Sequence, residues 1–251
     1  MLKVLAATLL LAVVPAAAQT TRARRPRGLA ARIVVIRPKE GRQQQFEEGY
    51  RRHLDWHRAN KDPWVWYGWQ VVGGERLGYF IDGTFGRHWE DFDAAVSPAA
   101  DAADNAANVA PYGDFLSVAH YALLPDLGRD HFLEEGRPSP FVELRTYRVR
   151  PGREAEFEEA LRGLRATASA RRYACYKLVN GGEHATYLLF LPHDRLSGLG
   201  NSTIPLAVPG GGRAQPRAAK RWQDLLGSAV EAGRSELLRY RPDLSYFPAR
   251  D

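Results

Sequence analysis

Gly41-Arg42-Gln43-Gln44-Gln45-Phe46-Glu47-Glu48 returns 111 residues later as Gly152-Arg153-Glu154-Ala155-Glu156-Phe157-Glu158-Glu159, and the fold follows from this echo. Two further patterns repeat in the same order. Val71-Val72-Gly73-Gly74-Glu75 is matched by Val179-Asn180-Gly181-Gly182-Glu183, and Pro125-Asp126-Leu127 by Pro242-Asp243-Leu244, at spacings of 108 and 117 residues. Any one of these matches could arise by chance. Three in one order with drifting spacing indicate an old duplication with loop insertions.

Working outward from the repeat, each copy reads as strand, helix, two strands, helix, strand. In the first copy Ile33 to Arg37 is a β-branched run, and Gly41 to His57 carries apolar residues at helical spacing. Trp64 to Val72 and Leu77 to Phe85 are strand-like and meet around Gly73-Gly74, a dipeptide suited to a tight hairpin. Ala103 to Leu116 is predicted as the second helix and Val118 to Leu124 as the closing strand. The second copy repeats the order with Phe141 to Val149, Gly152 to Ala170, Tyr173 to Val179, Thr186 to Leu191, Arg217 to Gly233 and Glu236 to Tyr240. Helical crossovers would join parallel neighbouring strands.

The expected fold class is therefore α+β, with two tandem ferredoxin-like βαββαβ units at 31–127 and 141–251 and a charged linker at 128–140. A sheet with both helices on one face must bury its other face. The twin copy is the natural cover, so the two antiparallel sheets are expected to face each other as an intrachain α/β barrel. Gly and Pro crowd residues 196–216, which predicts a long irregular loop, either a functional lid or a disordered segment.

Residues 1–18 read as a signal peptide: Lys3, an apolar run from Val4 to Val14, then Pro15 and Ala16-Ala17-Ala18, with cleavage after Ala18. That predicts a periplasmic or secreted protein. The apolar run is too short to cross a bilayer, which takes about 20 residues, and no membrane span is expected elsewhere. Residues 19–30 form a basic leader expected to be disordered, and with Arg32 they hold much of the +6 net charge. In an exported chain this cluster does not indicate a nucleic-acid partner. The single cysteine, Cys175, excludes an internal disulfide and reads as a buried, inert residue.

The run Glu143-x-Arg145-x-Tyr147-x-x-x-Pro151-Gly152-x-x-x-x-Phe157 resembles the opening strand and first helix of the NIPSNAP family, within the dimeric α/β-barrel superfamily. The match covers about fifteen residues, and the first copy keeps only its Pro, Gly and Phe. The resemblance implies the fold. It also implies a superfamily that includes haem-degrading and quinol-type monooxygenases, haem peroxidases and small proteins of unassigned chemistry, with ligand sites between helices and sheet or in the barrel mouth. Haem is the one cofactor it brings into view.

The chemistry candidates lie in the first copy. By the 111-residue spacing Tyr50, His53 and His57 stand where the second copy has Leu161, Leu164 and Ala168. His53 and His57 lie four apart on the Phe46/Tyr50 face of the predicted helix, the face that meets the sheet. Burying imidazoles has a cost unless something polar satisfies them. Three readings stay open: packing residues bonded to backbone or water, a ligand pocket with proton-transfer or haem-ligating imidazoles, and a metal site, for which the sequence offers no third ligand. The chain lacks the Glu that a zinc-protease helix needs after its first His, and no metal is assigned.

Near them lie Trp64 and Trp66 on one strand face and Tyr67 and Trp69 on the other. One pair should face the helix and the other the barrel interior, either as core filling or as an aromatic pocket. His88 and His193 read as loop residues. The candidate ligand-binding set is thus Tyr50, His53, His57, Trp64, Trp66, Tyr67 and Trp69, with no catalytic residue assigned. The leading expectation is an exported small-ligand binding or stress-related barrel protein for an aromatic or hydrophobic ligand. The alternatives are a cofactor-poor or haem-linked monooxygenase acting on an aromatic substrate or on haem, and an assembly module that forms homo-oligomers.

Overall fold

The computed structural model describes residues 27–128, 133, 138–166, 173–201 and 217–249. Eight strands and four α-helices follow in order: β1 (Ala30–Pro38), α1 (Gln43–Ala59), β2 (Tyr67–Gly73), β3 (Phe80–Arg87), α2 (Pro98–Asn108), β4 (Gly113–Leu123), β5 (Phe141–Val149), α3 (Glu154–Ala166), β6 (Ala174–Asn180), β7 (Thr186–His193), α4 (Arg217–Ala229) and β8 (Val230–Tyr240). Short 3₁₀ turns lie at Trp89–Ala94, Leu196–Asn201 and Pro242–Leu244.

The strands close into one antiparallel barrel in the order β1-β3-β2-β8-β5-β7-β6-β4. In the first half β1 pairs with β3 and β4, and β3 with β2; in the second, β5 pairs with β7 and β8, and β7 with β6. Two seams join the halves, β2 to β8 with Trp69 opposite Tyr240, and β4 to β6 with Leu123 opposite Tyr176. Among the described residues no two hydrogen-bonded neighbours are parallel. The expected parallel pairing is replaced by helical crossovers that skip one strand, β3 lying between β1 and β2.

Strand alternation sorts the side chains. Inward go Ile33, Val35, Tyr67, Trp69, Ile81, Phe85, Leu144, Tyr176, Phe190 and Leu238, one continuous barrel core. Outward in the first half go Val34, Ile36, Trp64, Trp66 and Phe80, which meet Phe46, Tyr50 and Leu54 of α1. Outward in the second half go Tyr147, Val149, Tyr187, Leu189 and Leu191, under Phe157 and Leu161 of α3 and Leu226 of α4. At roughly 25 cal/mol per Å² of buried apolar area these three clusters are the main stabilising term of the chain.

Several boundaries differ from the sequence expectation. The second helix spans 98–108 rather than 103–116, because Pro111 and Gly113 end it and Gly113 to Leu116 enter β4. A side chain at Gly113 would collide with Phe46 and Ile36 at 2.9 Å. The helix at 217 stops at Ala229, since β8 pairs with β5 from Val230 onward. Gly73-Gly74 does not form a two-residue hairpin: β3 begins only at Phe80, and the connection turns at Gly74 (φ +107°) and Gly78 (φ +86°). Leu196 to Asn201 of the expected irregular loop form a 3₁₀ turn; its remainder, the signal peptide, most of the basic leader and most of the linker lie outside the described residues. Among the described residues no helix is long and apolar enough to cross a membrane.

Candidate functional site

The outward face of the first half carries, beside its apolar cluster, a group of buried polar side chains. Gly49 makes it possible: a Cβ there would lie 1.9 Å from the Asn108 carbonyl oxygen, so only glycine lets α1 and α2 approach this closely. That approach presses Asp101, Asp104 and Asn105 of α2 onto His53 and His57, each only 5% exposed.

His53 Nδ1 lies 2.8 Å from Asp104 Oδ2, and its Nε2 faces His57 Nε2 at 3.1 Å and the Asn105 side-chain nitrogen at 2.9 Å. His57 Nδ1 lies 2.7 Å from Asp62 Oδ2, a close ion-pair contact that is off the ring N–H axis. Asp101 Oδ1 stands 3.4 Å from His53 Nε2 and 3.8 Å from His57 Nε2. Asp62 also accepts from the Trp66 indole N–H at 2.9 Å and the Trp64 backbone N–H at 2.9 Å. Burial alone would raise the Asp62 carboxyl; the His57 ring, the indole and the backbone N–H together hold it below the usual range. Burial lowers His53, with Asp104 opposing the shift and His57 adding to it.

Beneath the helix, Tyr50 donates to Asp82 Oδ2 at 2.7 Å. Burial pushes the Asp82 carboxyl up to about 6, against the Tyr50 hydrogen bond and the Arg32 charge. Asp82 Oδ1, Thr84 Oγ1 and Arg32 Nε are buried without a protein hydrogen-bond partner. Arg32 and Thr84 are cross-strand neighbours, and the Arg32 guanidinium stacks on Trp66 at 5.7 Å. Trp64 packs on Trp66 and Phe92 at 5.8 and 5.5 Å. Tyr246, from the chain's end, pairs with Trp66, donates to the Asp62 carbonyl at 2.8 Å and stacks on His57 at 5.9 Å.

The structure thus brings together Tyr50, His53, His57, Trp64 and Trp66. Tyr67 and Trp69 lie through the sheet in the barrel core, where Trp69 packs edge-on to Phe85 at 6.0 Å; they do not reach the imidazoles. Sequence reasoning missed Arg32, Asp62, Asp82, Thr84, Asp101, Asp104 and Asn105. The signal for three of them was present: Asp101, Asp104 and Asn105 fall at helical spacing and share one face of α2. At the second candidate location, the barrel mouth, the interior opens into a cavity of about 500 Å³ lined among others by Arg76, Ser117, Tyr121, Thr146 and Arg234. Arg76 there is ion-paired with the buried Glu236.

His193 is buried rather than in a loop, 3.7 Å from Glu143 on the outward face of the second half. Cys175 is fully buried and burial drives its thiol upward, so it is not a nucleophile. The His53–His57 pair does not fit a haem axial ligand. Each ring is enclosed by carboxylates, the other imidazole and the rings of Trp56, Trp66 or Tyr246 within about 6 Å, which leaves no open face for a macrocycle.

No family model matches the chain, and no curated protein matches it. Solved structures do share its fold. An anthrone oxidase-like protein superposes with a TM-score of 0.57 at 12% identity, covering 84% of this chain and 91% of that one. A provisionally assigned monooxygenase from Lactobacillus acidophilus gives 0.55 at 9%, covering 86% and 95%. A mutant chlorite dismutase from Candidatus Nitrospira defluvii gives 0.53 at 8%, covering 87% and 93%. At such identities the likeness is one of fold alone.

Proposed function

We propose that this chain is an exported, ligand-binding α/β-barrel protein whose site is the buried polar cluster between α1 and the outward face of the first half, and that its ligand is a small ring-bearing molecule with a dissociable proton. The observation that carries this reading is the Asp82 carboxyl: buried, raised to about 6, bonded to Tyr50 on one oxygen and unpartnered on the other. A carboxylate tuned toward neutrality beside an unpartnered hydroxyl and a guanidinium is suited to take a proton from a bound molecule. Trp64, Trp66 and Phe92 supply flat apolar surface for a ring.

The same carboxyl favours the oxygen-using alternative, in which removal of that proton prepares an electron-rich aromatic substrate for oxygen. The names of the fold neighbours, an anthrone oxidase-like protein and a monooxygenase among them, accord with it. In support of a duplicated ancestry, each half orders its strands alike, fourth, first, third, second. Cleavage after Ala18, export and any homo-oligomer belong to the same proposal; intact mass and light scattering of the natively purified protein test them.

The test of the site is quenching of tryptophan fluorescence on titration with anthrone, followed by oxygen uptake. Saturable quenching is expected in the wild type and in Asp82→Asn, with oxygen uptake lost in the variant. Replacing His53 and His57 by Leu and Ala should weaken binding. Absence of saturable quenching, or binding untouched by that double change together with raised stability, would leave these residues as packing.

A further inference from the structure

We propose that His53, His57 and Asp101 form a binding site for a divalent first-row transition-metal ion, with the side-chain oxygen of Asn105 as fourth ligand. This goes beyond the ligand site proposed above and does not depend on it. The argument starts from the two imidazoles. Each ring turns its Nδ1 toward a carboxylate, His53 to Asp104 at 2.8 Å and His57 to Asp62 at 2.7 Å. An ionised carboxylate only accepts, so His53 keeps its proton on Nδ1 and presents a lone pair at Nε2; the His57 contact with Asp62 is off the ring N–H axis and leaves that ring's tautomer free to present its own Nε2 lone pair to a cation. The two Nε2 atoms face each other at 3.1 Å. Either a proton on one of them or a metal ion bonded to both satisfies a contact this close.

Asp101 completes the set. Its Oδ1 lies 3.4 Å from His53 Nε2 and 3.8 Å from His57 Nε2. Two ligands bonded to one ion at about 2.1 Å and at the tetrahedral angle sit about 3.4 Å apart, and the three separations of 3.1, 3.4 and 3.8 Å bracket that value. The Asn105 amide nitrogen points at His53 Nε2 from 2.9 Å, although His57 already competes for the same lone pair. The same nitrogen lies 3.5 Å from Asp101 Oδ1; with a cation bound to that carboxylate and to His53, turning the amide over places an oxygen ligand there instead. Asp104 then acts as the carboxylate that fixes the tautomer and orientation of a metal-bound His53, with Asp62 beside the His57 ring, and such partners raise ligand basicity.

The site is preformed by the tight α1–α2 contact at Gly49, and the Asp101 side chain, about a quarter exposed, offers an entry path. Imidazole ligands disfavour Ca²⁺ and Mg²⁺, and the absence of thiolate or thioether among these four residues disfavours Cu(I). Zn²⁺, Fe²⁺, Co²⁺ and their neighbours suit two imidazoles and a carboxylate. The competing occupant of the gap is a proton lying between the two Nε2 atoms.

The experiment takes the full-length purified chain, strips it with a chelator and titrates it with Co²⁺ and then Zn²⁺ with no ring ligand present. One equivalent of Co²⁺ is expected to give visible d–d bands of four- to five-coordinate intensity, displaced by Zn²⁺. Asp101→Asn should weaken binding at least about 100-fold, and Asp104→Asn, which loses only an outer partner, about 10-fold. Circular dichroism checks folding, and His57→Gln carries the comparison if Asp101→Asn does not fold. Absence of stoichiometric uptake by the wild type overturns the metal site and leaves the gap to a shared proton. Unchanged affinity in the variants overturns it equally. Anthrone quenching of the stripped protein is read separately, so failure of the metal site and failure of the ligand site are distinguishable.

Discussion

Asp82 is held in an environment that opposes its charge, and this sets a sign that can be measured. Its folded-state pKa of about 6 lies above the value of about 3.9 for an unfolded aspartate. The contribution of this group to stability is therefore complete below pH 4 and is lost as pH rises through 6. The shift corresponds to at most about 3 kcal/mol at neutral pH. Asp82→Asn keeps an acceptor for Tyr50 and removes the charge. In metal-free protein it should raise stability by about 1–3 kcal/mol at pH 7.5, change little at pH 4, and flatten the profile between them; urea unfolding across that range checks it. Tyr50→Phe acts the other way, stranding the Asp82 carboxylate at a cost of about 1–3 kcal/mol at pH 7.5, read by the same melts. At this scale the sequence was half legible. The imidazoles stood out because apolar residues, Leu164 and Ala168, stand 111 residues further on. Asp82 and Thr84 gave no signal, because an acid or a hydroxyl in a strand reads as solvent-facing until a helix is seen to cover it.

At the scale of elements, α1 was legible through its apolar spacing, and the strands through alternation. The long second helix was not. Residues 103–116 are rich in alanine and lack a strong stripe, so propensity alone extended the helix through Pro111 into what pairs as β4. The contact that assembles the site, α1 against α2, was invisible for the same reason: it depends on one missing side chain. Gly49→Ala should force the helices apart, cost about 1–3 kcal/mol through overpacking, and move Asp101 and Asp104 away from His53. Thermal melting reads the first effect. The second appears as weaker Co²⁺ uptake in protein that is still folded.

At the scale of the whole molecule, the three short echoes led to the expectation of a sheet covered by its twin, and among the described residues the strands do close into one barrel. The repeat did not reveal where the end of the chain goes. After β8, Arg241 grips Glu47 through two hydrogen bonds at 3.0 and 2.7 Å, Leu244 is buried against α1 and its sheet, and Tyr246 stacks on His57. Leu244→Ala should cost about 2–5 kcal/mol, measured by urea denaturation, and should disturb anthrone quenching although it lies nearly two hundred residues from His57 in sequence.

That last packing gives the molecule an order of completion. The polypeptide is made from its amino end, so the cluster around the imidazoles lacks one wall until Leu244 and Tyr246 emerge. The wall can seat only after the β2–β8 seam has joined segments about 170 residues apart, and contacts so remote in sequence form slowly. In refolding experiments the environment of Trp64 and Trp66 should therefore reach its native emission in the last and slowest phase, after the bulk of the far-ultraviolet signal has returned.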